Sequence, residues 1–295
     1  MAFSIEQDLV LGTAGLGGVW GKIDPKASVA TILEALEKGI SAIDTAPSYG
    51  DAEEIVGKAL RQWTGTRPRL STKVGRLKSH QADEAYYDYS SDRMKSSVDN
   101  SLKTLGASAV DILFLHDPAA IRPEELEKVF QQMQEFKRQG YTERLGLGGN
   151  PPKWMEPYLL DSPFDVFMEH NRLNACCIDA LDTTLPLYLQ QGKEYYAASP
   201  LNMGLLGCNF SAFTRNPPQW LDLKQVERAK KVSFIAEQHK LPLPILAHRF
   251  LMTVPYPIKT VIGAANQEQL ASALLAFRTG SLPIEIYHEI LRAVN

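Results

Sequence analysis

Three short polar runs, each closing an apolar stretch, hold the side chains of this sequence best suited to chemistry. They are Asp44-Thr45-Ala46-Pro47-Ser48-Tyr49-Gly50, Ser71-Thr72-Lys73-Val74-Gly75 and Leu113-Phe114-Leu115-His116-Asp117-Pro118. Together they supply Asp44, Tyr49, Lys73 and His116. If the three stretches are neighbouring strands of one parallel sheet, these side chains converge on one pocket. A free phenol loses its proton near pH ~10, too high for ready use at neutral pH. A nearby ammonium stabilises the phenolate and lowers that value. Asp44 would hold Lys73 and explain how both charges tolerate burial, and His116 would hydrogen-bond a substrate oxygen. Such a set suits proton transfer at an alcohol or carbonyl oxygen, coupled to hydride transfer. None of the four is a redox centre, so a hydride carrier must be bound.

Each residue taken singly has a plainer reading. An Asp ending a strand often caps a helix, and a Lys there is usually solvated. A Tyr is more often a packing residue with a wet hydroxyl, and a His on an apolar run is more often a satisfied core residue. Order is what favours chemistry: the four follow the second, third and fourth strand-like runs of one series.

That series has eight members: Leu9–Leu11, Ala42–Asp44, Leu70–Val74, Val110–Leu115, Arg144–Gly148, Val166–Glu169, Tyr195–Ser199 and Thr260–Ile262. Amphipathic helices lie between them. The helix after Asp24-Pro25 has a good N-cap and first-turn residue, repeats Val29, Ile32, Leu33 and Leu36 at helical spacing, and stops at Gly39. Others end at Gly106 and Gly140, one opens at Pro123, and one spans Ala180–Gln191 before Gly192. Repeated strand, loop, helix and glycine is the signature of parallel βαβ units. Eight of them predict an α/β fold of the (β/α)₈ barrel type, as one domain over residues 1–295. The alternative, an open doubly wound sheet, lacks its G-x-G-x-x-G signature, because Gly15-Leu16-Gly17 and Gly146-Leu147-Gly148 both fail at the third glycine. The long segments Arg76–Ser90 and Asn202–Leu223 are expected to shape a substrate site on one barrel face.

Composition narrows the classes further. The chain has 295 residues, 44% of them hydrophobic, and a net charge of -3. No Lys/Arg run exceeds two residues, so nothing suggests a nucleic-acid surface. Cys176, Cys177 and Cys208 form neither a disulfide framework nor a metal-ligand spacing, so no metal is expected. No apolar run reaches membrane-span length, and Glu6 and Asp8 stand where a signal peptide would be apolar. The expectation is a cytoplasmic protein with a small-molecule substrate, no nucleic-acid or membrane partner, and a monomeric or weakly oligomeric state.

The run Asp44–Gly50, with Lys73 and His116 in order behind it, resembles the aldo-keto reductase superfamily. The resemblance extends from Gly12 to Val261-Ile262-Gly263 and beyond. It implies a (β/α)₈ barrel with a nicotinamide cofactor across its mouth and a catalytic tetrad at Asp44, Tyr49, Lys73 and His116. Within the superfamily the sequence is most similar to the aldose 1-dehydrogenase branch, through Ser71–Arg76, Tyr87-Asp88-Tyr89-Ser90 and Ala198–Leu206. That branch oxidises the anomeric carbon of a sugar such as L-galactose, L-fucose or a D-threo-aldose to a lactone, usually with NAD. The resemblance carries cofactor contacts onto Asp44, Asn150, Glu169, Ser199, Leu201, Gly204, Gly263 and Asn266. Gly149-Asn150 replaces the usual Ser-Asn that holds the nicotinamide amide, Glu169 replaces a Gln, and Ala198 replaces a stacking Tyr. Trp20, Tyr49, His116 and Arg172 are candidate substrate contacts, as are His170, Tyr86, Tyr87 and Tyr89. His248 and Arg249 read as structural.

The stretch Gly263-Ala264-Ala265-Asn266-Gln267-Glu268-Gln269 bears on the cofactor. It resembles a phosphate-binding turn at a helix N-terminus, yet carries no Lys or Arg. A 2′-phosphate needs counter-charge and Glu268 would repel it, so NAD is expected over NADP, with NADP possible. The alternatives are an NADPH-dependent aldehyde or ketone reductase and, from another class, a cofactor-sensing regulatory subunit like the β subunits of potassium channels.

Overall fold

The strand-like runs close on themselves. A computed structural model describes residues 3–81 and 84–295; residues 82 and 83, within the long 76–90 segment, lie outside the described residues. The strands are β1 (Leu9–Gly12), β2 (Ala42–Asp44), β3 (Arg69–Val74), β4 (Val110–His116), β5 (Thr142–Gly148), β6 (Val166–His170), β7 (Glu194–Ala198) and β8 (Ile258–Gly263). They pair in parallel in sequence order, and β8 returns to β1 through Leu9↔Thr260 and Gly12↔Gly263. This is the expected barrel. All eight carboxyl ends therefore open on one face, where the fold places its binding loops.

The helices start and stop for local reasons. Asp24 accepts from the amide of Lys26 at 2.9 Å and opens Pro25–Glu37. Gly106, at φ 69°, closes Ser91–Leu105 in a left-handed conformation that costs glycine little. One expected helix is broken. Residues 180–191 form a 3₁₀ turn (Asp179–Asp182) and then a helix (Thr184–Gln190), with Thr183 at φ −126° and ψ −94° between them. Side-chain bonds account for the break: the Thr183 hydroxyl donates to the Asp179 carbonyl at 2.6 Å, and the Thr184 hydroxyl donates to Glu169 at 2.7 Å. The helix expected from Pro123 also begins as a 3₁₀ turn before Leu126–Arg138.

Strand alternation sorts the apolar residues into two cores. Val10, Ala42, Ile112, Phe114, Val166, Met168, Tyr196 and Val261 fill the barrel interior. Leu11, Ile43, Leu113, Leu115, Phe167 and Tyr195 face the helices in the larger outer core. Phe114 crosses the interior because β5 leaves room for it: a Cβ on Gly146 would collide with its ring, and one on Gly148 would lie 3.3 Å from its Cβ. The Gly-Leu-Gly of β5 is thus a packing device.

Candidate active site

Asp44, Lys73 and His116 all lie on the inward parity of β2, β3 and β4, at the carboxyl end. Asp44 and Lys73 are each 2% exposed, so their charges must compensate one another. The Lys73 ammonium donates to Asp44 Oδ2 and, at 3.1 Å, to the Thr45 carbonyl. The other oxygen, Oδ1, accepts from the Ser71 hydroxyl at 2.8 Å. Burial by itself would lower the Lys73 pKa, but Asp44 and then Tyr49 outweigh it and raise it, so the ammonium is kept charged.

Tyr49 follows β2 on a turn with little freedom. The amide of Asp51 donates to the Gly17 carbonyl at 2.9 Å, and a Cβ on Gly17 would run into the Tyr49 carbonyl. The β1 loop can thus lie against the Tyr49 backbone only because residue 17 is glycine. Lys73 Nζ stands 5.0 Å from the Tyr49 ring centroid, and the Tyr49 and His116 rings meet edge to face at 5.8 Å. All four sequence-predicted residues therefore come together.

Their electrostatics differ from expectation in one respect. Lys73 does pull the Tyr49 pKa down, but desolvation is the larger effect, and the net shift is upward from 10.0. Asp44 opposes the ammonium's field and adds to the rise. The phenol is thus a protonated donor at neutral pH. His116 is 5% exposed, and burial drives its pKa down to about 3, so it is a neutral imidazole. Its Nδ1 lies 3.4 Å from the Ser48 hydroxyl. A phenol donor, a neutral imidazole and a screened ammonium around one opening can polarise a carbonyl oxygen and hand it a proton, or do the reverse to an alcohol.

Other candidates fall less simply. Glu169 does not reach the barrel mouth. It lies on the outward parity of β6 and is 1% exposed. Its Oε2 accepts from Thr184 and, at 2.9 Å, from the Tyr195 hydroxyl, and burial raises its pKa. The expected nicotinamide contact is replaced by a bond between sheet and helix layer. Arg172 goes with it: its guanidinium donates to Thr183 at 3.2 Å, away from the four converging side chains. His170, on inward parity, is exposed at the mouth. Asn150 braces that strand end, donating to the His170 carbonyl at 3.0 Å and accepting its amide at 3.2 Å. One N–H and one lone pair of Asn150 remain for a ligand. Asn171, at φ 54°, has a buried side-chain oxygen without a partner beside this site, a feature the sequence did not flag.

The β7 loop is a tight knot. Ser199 adopts φ 60°, Gly204 φ 93°, and Leu201 accepts at its carbonyl from the amides of Gly204 and Leu206 at 3.0 Å each. After β8, Gly263 is exposed and Asn266 caps Gln267–Thr279 by accepting from the Gln269 amide at 2.9 Å. Gln267 donates to Glu34 at 2.6 Å, which brings a second carboxylate beside this helix start. Trp20 and Tyr86 stand exposed, whereas the Tyr89 hydroxyl is spent on the carbonyls of His116 (2.8 Å) and Asp117 (2.9 Å). His248 and Arg249 are structural, Arg249 donating to the Gly280 and Ser281 carbonyls at 2.7 Å each. A cavity of about 610 Å³ opens at the opposite, N-terminal end of the barrel, bordered by Trp63, Arg67 and Asp111; none of the four converging residues lines it. Among the described residues no cluster of three or more His, Cys, Asp or Glu is poised to hold a metal ion, and no helix is long and apolar enough to cross a membrane.

Comparison with known proteins agrees with this geometry. The profile of the aldo/keto reductase family matches residues 8–294. L-galactose dehydrogenase of Arabidopsis thaliana is 31% identical over 255 residues, covering 78% of this chain and 75% of that protein. D-threo-aldose 1-dehydrogenase of a Pseudomonas species is 24% identical over 288 residues, covering 88% and 85%. The NADH-specific methylglyoxal reductase of Escherichia coli K12 is 26% identical over 292 residues, covering 90% and 88%. The solved structure of glycerol dehydrogenase from Gluconobacter oxydans superposes with a TM-score of 0.76 at 24% identity, covering 97% of this chain and 90% of that one, a likeness of fold. With the closed parallel barrel and the four residues at its mouth, these matches place the chain in the aldo/keto reductase family, as an oxidoreductase acting on small carbonyl or alcohol substrates with a nicotinamide cofactor.

Proposed function

We propose that this protein oxidises the C1 hydroxyl of an aldose to a lactone, with NAD as hydride acceptor. One observation carries the reading: a buried Asp44–Lys73 pair stands beside Tyr49, and a neutral His116 faces the same opening. In this reading the sugar C1 hydroxyl lies between Tyr49 and His116. His116 holds the oxygen through a hydrogen bond, and Tyr49 in its phenolate form, stabilised by Lys73 alongside, takes the proton and becomes the phenol. A bound nicotinamide supplies the hydride chemistry. In reverse, Tyr49 donates its proton to the oxygen of a reduced carbonyl. The sugar as substrate follows from the named activities of the plant and Pseudomonas relatives.

The residues present fit such a cofactor. Asn150 and Asn171 retain hydrogen-bonding capacity at the mouth, where a carboxamide would be held. The start of Gln267–Thr279 suits a pyrophosphate or ribose through its free amides. Glu268 and Glu34 at that helix start disfavour a 2′-phosphate, which supports NAD. The test is steady-state kcat/KM over a panel of aldoses with NAD and with NADP. Lactone formation with at least one aldose, faster with NAD, is expected. No aldose turnover, or a clear NADP preference, would overturn the substrate or the cofactor part respectively.

A further inference from the structure

Asp117 is the residue that directly follows His116, and its backbone is unusual. It sits at φ 51° and ψ 64°, the left-handed region that Asp tolerates better than most residues. This conformation is held from several sides. The amide of Asp117 donates to the Gly148 carbonyl at 2.8 Å, and the Tyr89 hydroxyl shares its proton between the carbonyls of His116 and Asp117. Tyr89 is itself seated on Gly75, where any Cβ would strike its ring. The conformation turns the carboxylate toward the barrel mouth beside His116.

The two carboxylate oxygens are used differently. Oδ2 accepts from Arg76 at 3.1 Å and from the Tyr87 hydroxyl at 3.2 Å. Oδ1 faces His116 Nε2 at 3.9 Å, too long for a hydrogen bond between them. Space beside Oδ1 is kept open by Gly149, where a Cβ would lie 3.2 Å from Oδ1 and 2.9 Å from Pro118 Cδ. The arrangement leaves an acceptor, Oδ1, beside His116 Nε2, the nitrogen that would meet the reacting oxygen in the reading above. A donor and an acceptor at this spacing match two oxygens on neighbouring carbons, each a hydrogen-bond length from its own partner.

We propose that Asp117 is a specificity residue: Oδ1 accepts the hydroxyl on the carbon next to the reacting carbon, while His116 Nε2 donates to the reacting oxygen. The protein thereby selects α-hydroxy carbonyl compounds and their cyclic sugar forms over plain aldehydes. This deepens the sugar reading given above and rests on it for the natural substrate. Tyr87 and Arg76 fix the carboxylate, and so tie the long β3 loop to the choice of substrate.

The experiment compares kcat/KM, with NADH, for reduction of D-glyceraldehyde and of propanal, which differ in the hydroxyl on the carbon next to the carbonyl and in a second on the carbon beyond it. Asp117→Gly removes the carboxylate and keeps the left-handed backbone free of strain; Asp117→Asn keeps the shape and one acceptor. Wild type is expected to favour glyceraldehyde, Asp117→Gly to lower the glyceraldehyde-to-propanal ratio about tenfold or more, and Asp117→Asn to lower it by less. Any loss shared by both aldehydes, from loosening of Tyr87 or Arg76, cancels in the ratio. A ratio unchanged in both variants overturns the proposal, as does a wild type that does not favour glyceraldehyde. The aldose panel fails or succeeds separately, so the two readings are distinguishable.

Discussion

The Ser48 hydroxyl lies 3.4 Å from Nδ1 of His116, and both residues are buried. Because the imidazole is neutral, its two nitrogens play opposite roles. If the serine donates to Nδ1, the proton stays on Nε2, the nitrogen on the Asp117 side. In that arrangement Ser48 holds the imidazole as the tautomer that donates to substrate. The bond is long, so its effect is modest. Ser48→Ala is expected to lower kcat/KM about three- to tenfold with the cofactor Kd unchanged. An unaltered kcat/KM, or a weakened cofactor Kd, would show that Ser48 serves packing alone.

Tyr49→Phe removes only the hydroxyl and keeps the ring packed against His116. Turnover is expected to fall by about 10²–10⁴, with cofactor binding retained in a fluorescence titration. Near-normal turnover would remove Tyr49 from the proton-transfer role.

The pH dependence follows from two shifts of opposite sense. Tyr49 is raised above 10.0, chiefly by burial, so the base form needed for oxidation is scarce at neutral pH and grows as pH rises. His116, held down to about 3 by burial, does not titrate in the working range. The kcat/KM for alcohol oxidation is expected to climb from about pH 6 to about pH 9 without a break near the usual histidine range. A plateau beginning near pH 7 would contradict the raised phenol.

Lys73 and Asp44 form a buried pair in which each charge depends on the other. Asp44→Asn or Lys73→Met alone is expected to cost about 3–5 kcal/mol in chemical denaturation, and the double change less than the sum. The raised Lys73 pKa gives the linkage its sign: the pair's contribution is complete below the unfolded pKa, ordinarily 10.5, and is lost as pH rises through the folded one. Full additivity of the two changes would show that the charges are not coupled.

Gly149 adopts a φ of +130°. A side chain there is strained and meets Pro118 and Asp117. Gly149→Ser is expected to destabilise the protein by about 1–3 kcal/mol, measured by urea unfolding. A neutral or stabilising change would mean that the β5 loop adapts freely.

The strands, the barrel and the four converging residues were legible in the sequence, because each rests on local signals. Apolar runs and glycine stops mark the βαβ units, and parallel closure sends every strand's carboxyl end to the same face. Asp44, Lys73 and His116 close such runs, so their convergence follows from topology. What lay beyond the sequence depends on neighbours far along the chain. Glu169 and His170 are adjacent, yet one packs behind the sheet and the other faces the mouth. That division is set by the register in which β6 joins β5 and β7. The direction of the Tyr49 shift is also a tertiary outcome, because it is the difference between desolvation by the whole site and an ammonium field that Asp44 opposes. The sequence alone determined which groups meet; only the closed barrel decided which way the flanking residues point and how tightly Tyr49 holds its proton, since both depend on packing between segments that no local pattern encodes.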